Sequence, residues 1–338
     1  MSDLLNVVIL GASGFVGTDL VHLCLRHPNI KVQSLSANSL AGQDIKIEGI
    51  ENIAKQYQLI EEIDFGNIDF IFNCLPNSKL HNLIKKIPSS IRIIDLSADF
   101  RLDNYDDYKQ WYSLDHMAME EKENFTYGLS EFNREKIKIS KHVSNPGCYA
   151  TSVLVPLIPL VRKGLIKDNI IIDAKSGYSG AGKTKKTEDL LNDVEENIKT
   201  YGVGDHKHIA EINQEINKSK KESNIKVFFS ANLIPVKRGI LSNIYISQSK
   251  GITFEEIHRC LVNFFKSENF IKVLPLNSIP MTRDIVDTNN LIIGLKKGYK
   301  DDMFCIVSVL DNLLKGAAGQ AMQNFNIMNG YKESLGIE

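Results

Sequence analysis

The stretch Asn6-Val7-Val8-Ile9-Leu10-Gly11-Ala12-Ser13-Gly14-Phe15-Val16-Gly17 runs from an apolar segment straight into three glycines spaced three apart. Asn6–Leu10 predicts a strand, and Gly14–Arg26 predicts the helix that follows it. A glycine-rich turn between a buried strand and a helix is the setting of a dinucleotide fingerprint. Gly11 would make the tight turn, Gly14 would let a pyrophosphate approach the backbone, and Gly17 would let helix and strand pack closely. The helix N-terminus adds a partial positive charge for that anion. We therefore take Gly11, Ala12, Ser13, Gly14, Phe15, Val16 and Gly17 as cofactor-binding candidates. The competing reading is a tight turn that holds no ligand.

Outward from this turn, the first half alternates apolar strands with helix-length segments. Lys31–Ser36, Asp69–Leu75 and Arg92–Leu96 read as strands, and Ser78–Lys86 reads as a helix. Strands apolar at nearly every position belong to a parallel sheet covered on both faces. After strand two, where an NAD site usually carries a carboxylate for the ribose hydroxyl, the sequence is Leu35-Ser36-Ala37-Asn38-Ser39. Neutral donors such as Ser36 and Ser39 suit a 2′-phosphate, so the expected cofactor is NADP(H); the other reading is a local cap. Asn104–Tyr127 reads as irregular with short helices.

Beyond Ser144 the pattern changes to strand-like runs with few helices: Ile170–Ala174, Val227–Ala231, Ile240–Ile246, Ile271–Leu274, Leu291–Leu295 and Phe304–Leu310. These predict a second, mixed or antiparallel sheet, with a charged helix at Lys185–Lys199 and a last helix at Ala317–Met328. The fold class is α/β: a Rossmann-type dinucleotide domain from residues 1–147 and 313–338, and a mixed-sheet α+β catalytic domain from 148–312.

A length of 338 residues suits two domains, and 43% hydrophobic residues suffice for a core in each. Forty basic against 41 acidic residues give a net charge of -1, which removes the long-range field a nucleic-acid partner would need. Five scattered cysteines without a CxxC pair point to a reducing compartment. No basic segment precedes the first apolar run, and no run is long enough to span a bilayer. A soluble, cytoplasmic protein with no membrane partner is expected.

Asn145-Pro146-Gly147 leads into an apolar helix that begins at Cys148. Helix N-termini favour the thiolate, which attacks carbonyls, so Cys148 is the candidate nucleophile. Cys24, Cys74, Cys260 and Cys305 lie in apolar runs and read as packing residues. Asp205-His206-Lys207-His208 with Glu211 is a dense His/acid cluster. Two histidines without a third ligand make a poor metal site, so no metal is assigned; proton transfer beside a cysteine suits them better, and a solvated loop is the bland alternative. Gly177-Tyr178-Ser179-Gly180-Ala181-Gly182-Lys183-Thr184 matches the Walker A pattern after an apolar strand. Ile306–Leu310 followed by Asp311 would be the magnesium-holding strand of that nucleotide-hydrolase reading.

The segment Ser144-Asn145-Pro146-Gly147-Cys148-Tyr149-Ala150-Thr151, the fingerprint, Leu96-Ser97-Ala98-Asp99-Phe100-Arg101, Tyr127-Gly128-Leu129-Ser130-Glu131, the glycine loop and Lys315-Gly316-Ala317-Ala318-Gly319-Gln320 together resemble the N-acetyl-γ-glutamyl-phosphate reductases, relatives of aspartate-semialdehyde dehydrogenase. The matches follow the family order from residue 7 to about 328. The resemblance implies NADPH-dependent reduction of an acyl phosphate through a Cys148 thioester, in arginine biosynthesis, with His208 or else His206 passing protons. It further implies cofactor contacts at Leu75, Pro76, Ser179, Gly180, Asn312 and Gly316. Substrate contacts implied are Arg101, Asn145, Lys183, Glu211 and Arg238, in a homodimer or homotetramer. Asn77 and Asn232 stand where the family usually carries histidine. The alternatives are a reductase of aspartyl or carrier-linked aminoadipyl phosphate, a P-loop hydrolase using Lys183 and Thr184, and a non-catalytic NADP sensor.

Overall fold

The structure, a computed structural model, describes residues 4–46, 56–182, 192, 194–220, 225–299 and 302–337. It divides into two compact units, Met1–Pro146 with Ala317–Glu338, and Gly147–Gly316.

The first unit is a six-stranded sheet in the order β2-β1-β3-β4-β6-β5. Its strands are β1 (Leu5–Leu10), β2 (Ile30–Leu35), β3 (Phe70–Asn73), β4 (Arg92–Asp95), β5 (Phe125–Tyr127) and β6 (His142–Ser144), and every pairing is parallel. Helices α1 (Phe15–Arg26), α2 (Lys79–Leu83), α3 (Tyr105–Tyr112) and α4 (Ser130–Ile139) intervene. Val7, Val8, Ile9 and Leu10 are all buried, which is why β1 shows no polar alternation. The helix Gly319–Met328 packs on this sheet: Phe325 meets Phe70 edge-on at 4.8 Å and Phe72 at 5.6 Å. Each such buried aromatic contributes roughly 1.5–3 kcal/mol relative to exposure. Arg92 ties the same helix down by donating to Met328 O at 2.9 Å and to Asn329 Oδ1. The short helices expected in 104–127 include α3, which is capped by Asn104 accepting from Asp106 N, but that reading misses β5.

The second unit is a seven-stranded mixed sheet in the order β11-β12-β13-β10-β7-β9-β8. The strands are β7 (Asn169–Gly177), β8 (Lys199–Tyr201), β9 (Lys226–Ile234), β10 (Ile240–Ser247), β11 (Ile271–Val273), β12 (Leu291–Lys297) and β13 (Met303–Leu310). β7 runs parallel to β9 and antiparallel to β10. Alternation is clear along β7: Ile170, Ile172 and Ala174 are buried, whereas Ile171 is half exposed. Helices α5 (Cys148–Arg162), α6 (His208–Ser219) and α7 (Phe254–Phe265) complete the unit. α5 keeps Pro156 and Pro159 in its interior, which removes two helical donors, yet every residue from Tyr149 to Val161 is buried. Tertiary burial thus overrides local propensity there. Most of the expected charged helix at 185–199 lies outside the described residues, and Lys199 begins a strand instead.

Candidate active site

In the second unit, Gly147 is the N-cap of α5 and Cys148 its first helical residue, so the thiol sits at the positive end of the helix. Cys148 forms no disulfide and is partly exposed. Its neighbours come from α6. The Glu211 carboxylate is fully buried and its Oε1 accepts the Gly147 N–H at 2.8 Å, fixing the turn that leads into Cys148. One turn earlier on α6, His208 presses against the same residue: a Cβ on Gly147 would lie 2.5 Å from His208 Nε2. Gly316 is equally constrained, since its added Cβ would lie 2.8 Å from Cys148 Cβ. Three segments distant in sequence therefore converge on one thiol.

His206 takes a different part. Its Nδ1 accepts the His208 backbone N–H at 3.1 Å, which starts α6 and leaves the ring proton on Nε2. Its ring is edge-on to Tyr149 at 5.2 Å and 4.8 Å from the His208 ring, and burial pushes its pKa down to about 4. His206 thus caps α6 as a neutral ring, while His208 lies against Gly147. Tyr149 and Tyr201 join their hydroxyls at 3.1 Å, and burial pushes both phenols up, Tyr201 to about 12. Phe229 packs edge-on to Tyr149 at 5.3 Å. Sequence reading missed this aromatic wall, although Tyr149 directly follows Cys148.

Several residues expected to meet substrate already hold protein partners. Buried Arg101 donates from Nε to Asn145 O and from Nη2 to Leu96 O, both at 2.8 Å, so it braces main chain. Asn145 is also buried, donating to Ala317 O at 3.2 Å and accepting from Asn324 at 3.1 Å. Glu211 holds the Gly147 turn through Oε1. Arg238 is clamped by buried Asp311 at 2.9 Å and by exposed Asp287 at 2.9 Å. Asn232, in the position of a family histidine, donates to Asp173 Oδ1 and Ala174 O within the sheet. Lys183 and Thr184 lie outside the described residues.

The P-loop alternative is not favoured. β7 passes into a short 3₁₀ turn, Tyr178–Ala181, in a mixed sheet. Asp311, the supposed magnesium ligand, already accepts Arg238 and the N–H groups of Asp287 and Leu313. Ser179 and Asn312 are buried and bonded to each other at 3.0 Å, and Asn312 also accepts the Gly239 N–H; Gly180 lies against Ser176. Gly316 belongs to a π-turn, Leu314–Ala318.

In the first unit, Gly11 has φ +75°, and a Cβ there would lie 2.7 Å from Cys74 O. A Cβ on Gly17 would lie 2.3 Å from Gly11 O. At Gly14, by contrast, nothing lies nearer than Gly11 O at 3.6 Å, which leaves the backbone open to an anion. These three environments fit a dinucleotide pyrophosphate. Ala12 is buried, while Ser13, Phe15 and Val16 are partly exposed around the same turn, and Leu75 and exposed Pro76 lie at the end of β3. Ser36 departs from expectation: it is fully buried, and its Oγ accepts the Gly11 N–H at 3.1 Å, so it braces the turn. Asn38 and Ser39 are the exposed residues beyond β2. Among the described residues, no cluster of three or more His, Cys, Asp or Glu could hold a metal ion, and no helix is long and apolar enough to cross a membrane.

The comparisons follow this division. Residues 6–140 match the family "Semialdehyde dehydrogenase, NAD binding domain", and residues 148–312 match "Semialdehyde dehydrogenase, dimerisation domain". The chain resembles the crystal structure of aspartate semialdehyde dehydrogenase II complexed with ASA from Vibrio cholerae, with a TM-score of 0.73, 19% identity, and 97% of this chain and 99% of that one covered. An aspartate semialdehyde dehydrogenase with NADP from Candida albicans gives 0.68 at 18% identity, covering 97% and 99%. Fold and thiol site thus define a protein of the semialdehyde dehydrogenase class. An Ehrlichia canis (strain Jake) N-acetyl-gamma-glutamyl-phosphate reductase is 42% identical, covering 100% of this chain and 98% of its own. A probable chloroplastic enzyme of that name from Arabidopsis thaliana is 39% identical, covering 98% and 84%. The chain belongs to the N-acetyl-γ-glutamyl-phosphate reductase family.

Proposed function

We propose that this protein reduces N-acetyl-γ-glutamyl phosphate to N-acetylglutamate 5-semialdehyde and phosphate with NADPH, as an enzyme of arginine biosynthesis. The observation that carries the reading is the convergence on Cys148: a thiol at a helix N-terminus, a turn held by Glu211, and His208 against Gly147. Attack by the Cys148 thiolate forms a C–S bond and breaks the acyl C–O bond, and phosphate leaves with the electron pair. NADPH, when bound at the Gly11–Gly17 turn, supplies the hydride that reduces the thioester carbonyl. His208 gives a proton to the resulting oxygen and takes it back as the C–S bond breaks, releasing aldehyde and restoring the thiolate. Proton transfer of this kind is worth roughly 10²–10⁴-fold in rate. Arg238 is the cation we assign to the substrate's anionic end, because an incoming anion can displace exposed Asp287 while buried Asp311 keeps the guanidinium oriented.

The finer assembly we assign is a homodimer through the open sheet face, where Ile171 and Phe228 are half exposed and Tyr245 and Met303 partly so. The cytoplasm, or an equivalent reducing compartment, suits a reactive thiol. NADPH oxidation measured with N-acetyl-γ-glutamyl phosphate, with aspartyl phosphate and beside an ATP-hydrolysis control tests the function. Turnover only with the first substrate is expected; faster turnover of aspartyl phosphate, or magnesium-dependent ATP hydrolysis, would overturn the assignment.

A further inference from the structure

We propose that Asp99 is a positioning residue for the cofactor, shaping the β3–α2 loop by holding the Ser78 backbone in a left-handed conformation. This rests on the reading that the first unit binds NADPH. Asp99 is buried, and its two carboxylate oxygens accept the Ser78 N–H at 2.8 and 2.9 Å. Ser78 has φ +69°, a region that costs a residue with a Cβ unless the surroundings impose it. A second tie runs alongside, since Asn77 Oδ1 accepts the Ala98 N–H at 3.1 Å. The start of the loop is fixed in the same way: Asp95 accepts from Asn73 Nδ2 at 2.7 Å, and Asn73 Oδ1 accepts the Leu75 N–H at 3.4 Å. The last residue of β4 and the segment after it therefore hold the loop after β3 at both ends.

That loop reaches the fingerprint. A Cβ on Gly11 would lie 2.7 Å from Cys74 O and 3.2 Å from Leu75 N, so loop and turn backbones are in contact. Ligands of open α/β sheets bind beyond the carboxyl ends of the strands, where these two segments meet. Asp99 has other duties in the fold. Its Oδ1 accepts Tyr108 OH at 2.8 Å, His81 Nε2 stands 3.5 Å from Oδ2, and its carbonyl oxygen pairs with His116 Nε2 at 2.6 Å. The test must separate loop shaping from this general support.

NADPH affinity is measured by fluorescence titration of the full-length protein and of three variants. Asp99→Asn keeps the shape but weakens the charge-assisted acceptor, and is expected to raise the NADPH Kd about ten-fold. The KM for NADPH should rise with it, with kcat at saturation within about two-fold. Adding Ser78→Gly should bring the Kd back to within about three-fold of wild type, because glycine adopts a positive φ without penalty. Tyr108→Phe, which removes a hydrogen bond to the same carboxylate without touching Ser78, should leave the Kd within about two-fold. Wild-type affinity in Asp99→Asn, no recovery in the double variant, or an equal loss in Tyr108→Phe would each overturn the proposal. Amide exchange at Ser78 in the wild type tests it even if Asp99→Asn does not fold: slow exchange supports the tie, and exchange at the rate of an open loop refutes it. A wild type that binds no NADPH would defeat the cofactor reading and this proposal together, a result distinct from the others.

Discussion

Replacing Gly147 by alanine adds one methyl group where the N-cap of α5 meets the first residue of α6. The backbone at Gly147, φ −67° and ψ 149°, is one that alanine adopts freely, so no conformational penalty arises from the residue itself. The collision is with a side chain. The new Cβ would stand 2.5 Å from His208 Nε2, 2.6 Å from Cε1 and 2.9 Å from Cδ2, whereas ordinary contact begins near 3.4 Å. The imidazole must retreat by about 0.9 Å, the difference between 3.4 and 2.5 Å. Overpacking of this size costs roughly 1–3 kcal/mol of stability, and a 1 Å misplacement of a catalytic group can cost about 10²-fold in rate. Gly147→Ala should therefore fold, bind NADPH normally through the other unit and lose about 10²-fold in kcat. Steady-state NADPH oxidation gives kcat, and thermal unfolding gives the stability change. A folded variant with kcat within two-fold of wild type would refute the placement of His208 as the proton carrier.

Four further outcomes follow from the same geometry. Ser39→Asp, at an exposed site beyond β2, should raise the KM for NADPH more than that for NADH, whereas Ser36→Asp should damage folding because Ser36 is buried against Gly11; equal effects of Ser39→Asp on both cofactors would place the 2′-phosphate elsewhere. Arg238→Lys should raise the substrate KM about ten-fold or more and leave NADPH affinity unchanged, since an ammonium cannot reproduce the planar fork; an unchanged substrate KM counts against the assignment. Burial holds His81, His142 and His206 down to about 4, so these groups favour the native state fully above their unfolded pKa near 6.5 and lose that contribution as pH falls from 6.5 towards 4. Asp95, raised to about 6, and Asp99, also raised by burial, oppose them, because their contribution is present at low pH and lost as pH rises through their folded pKa; burial also holds His27 and His116 down, so five histidines outweigh two carboxylates, the melting temperature should fall between pH 6.5 and 4.5, and a flat profile would contradict this. Phe228→Glu on the open sheet face should shift sedimentation at micromolar concentration towards monomer, and an unaltered dimer would exclude that face.

What the sequence revealed depended on how local each signal was. The fingerprint could be read because three glycines meet their constraints within seven residues, and the structure shows Gly11 at a positive φ and Gly17 against Gly11. Cys148 stood out because a Pro-Gly turn announces the helix it begins. The second sheet was visible in its long alternating strands, while β5, β6 and β8, at three residues each, are too short to display a period. The resemblance of their motifs marks Arg101, Asn145 and Arg238 as substrate contacts, but no local pattern shows which protein groups they bond. Their partners are carbonyl groups and carboxylates brought in by tertiary folding, as far away as Asp311 for Arg238. Ser36 failed for a related reason: a hydroxyl at a strand end can face a ligand or its own turn, and only the packing decides. The tie from Asp99 to Ser78 spans 21 residues and a positive φ on a serine, neither of which any local pattern announces.

The thioester is the central claim, and it can be isolated by omitting the reductant. Full-length enzyme mixed with N-acetyl-γ-glutamyl phosphate in the absence of NADPH should release a rapid burst of about one phosphate per Cys148. Peptide mapping after acid quench should find the N-acetylglutamyl group on Cys148. Cys148→Ser, whose hydroxyl is scarcely ionised at neutral pH, should fold, bind NADPH and give neither burst nor label. Phosphate release that requires NADPH, a label on another residue, or a burst that persists in Cys148→Ser would contradict the account.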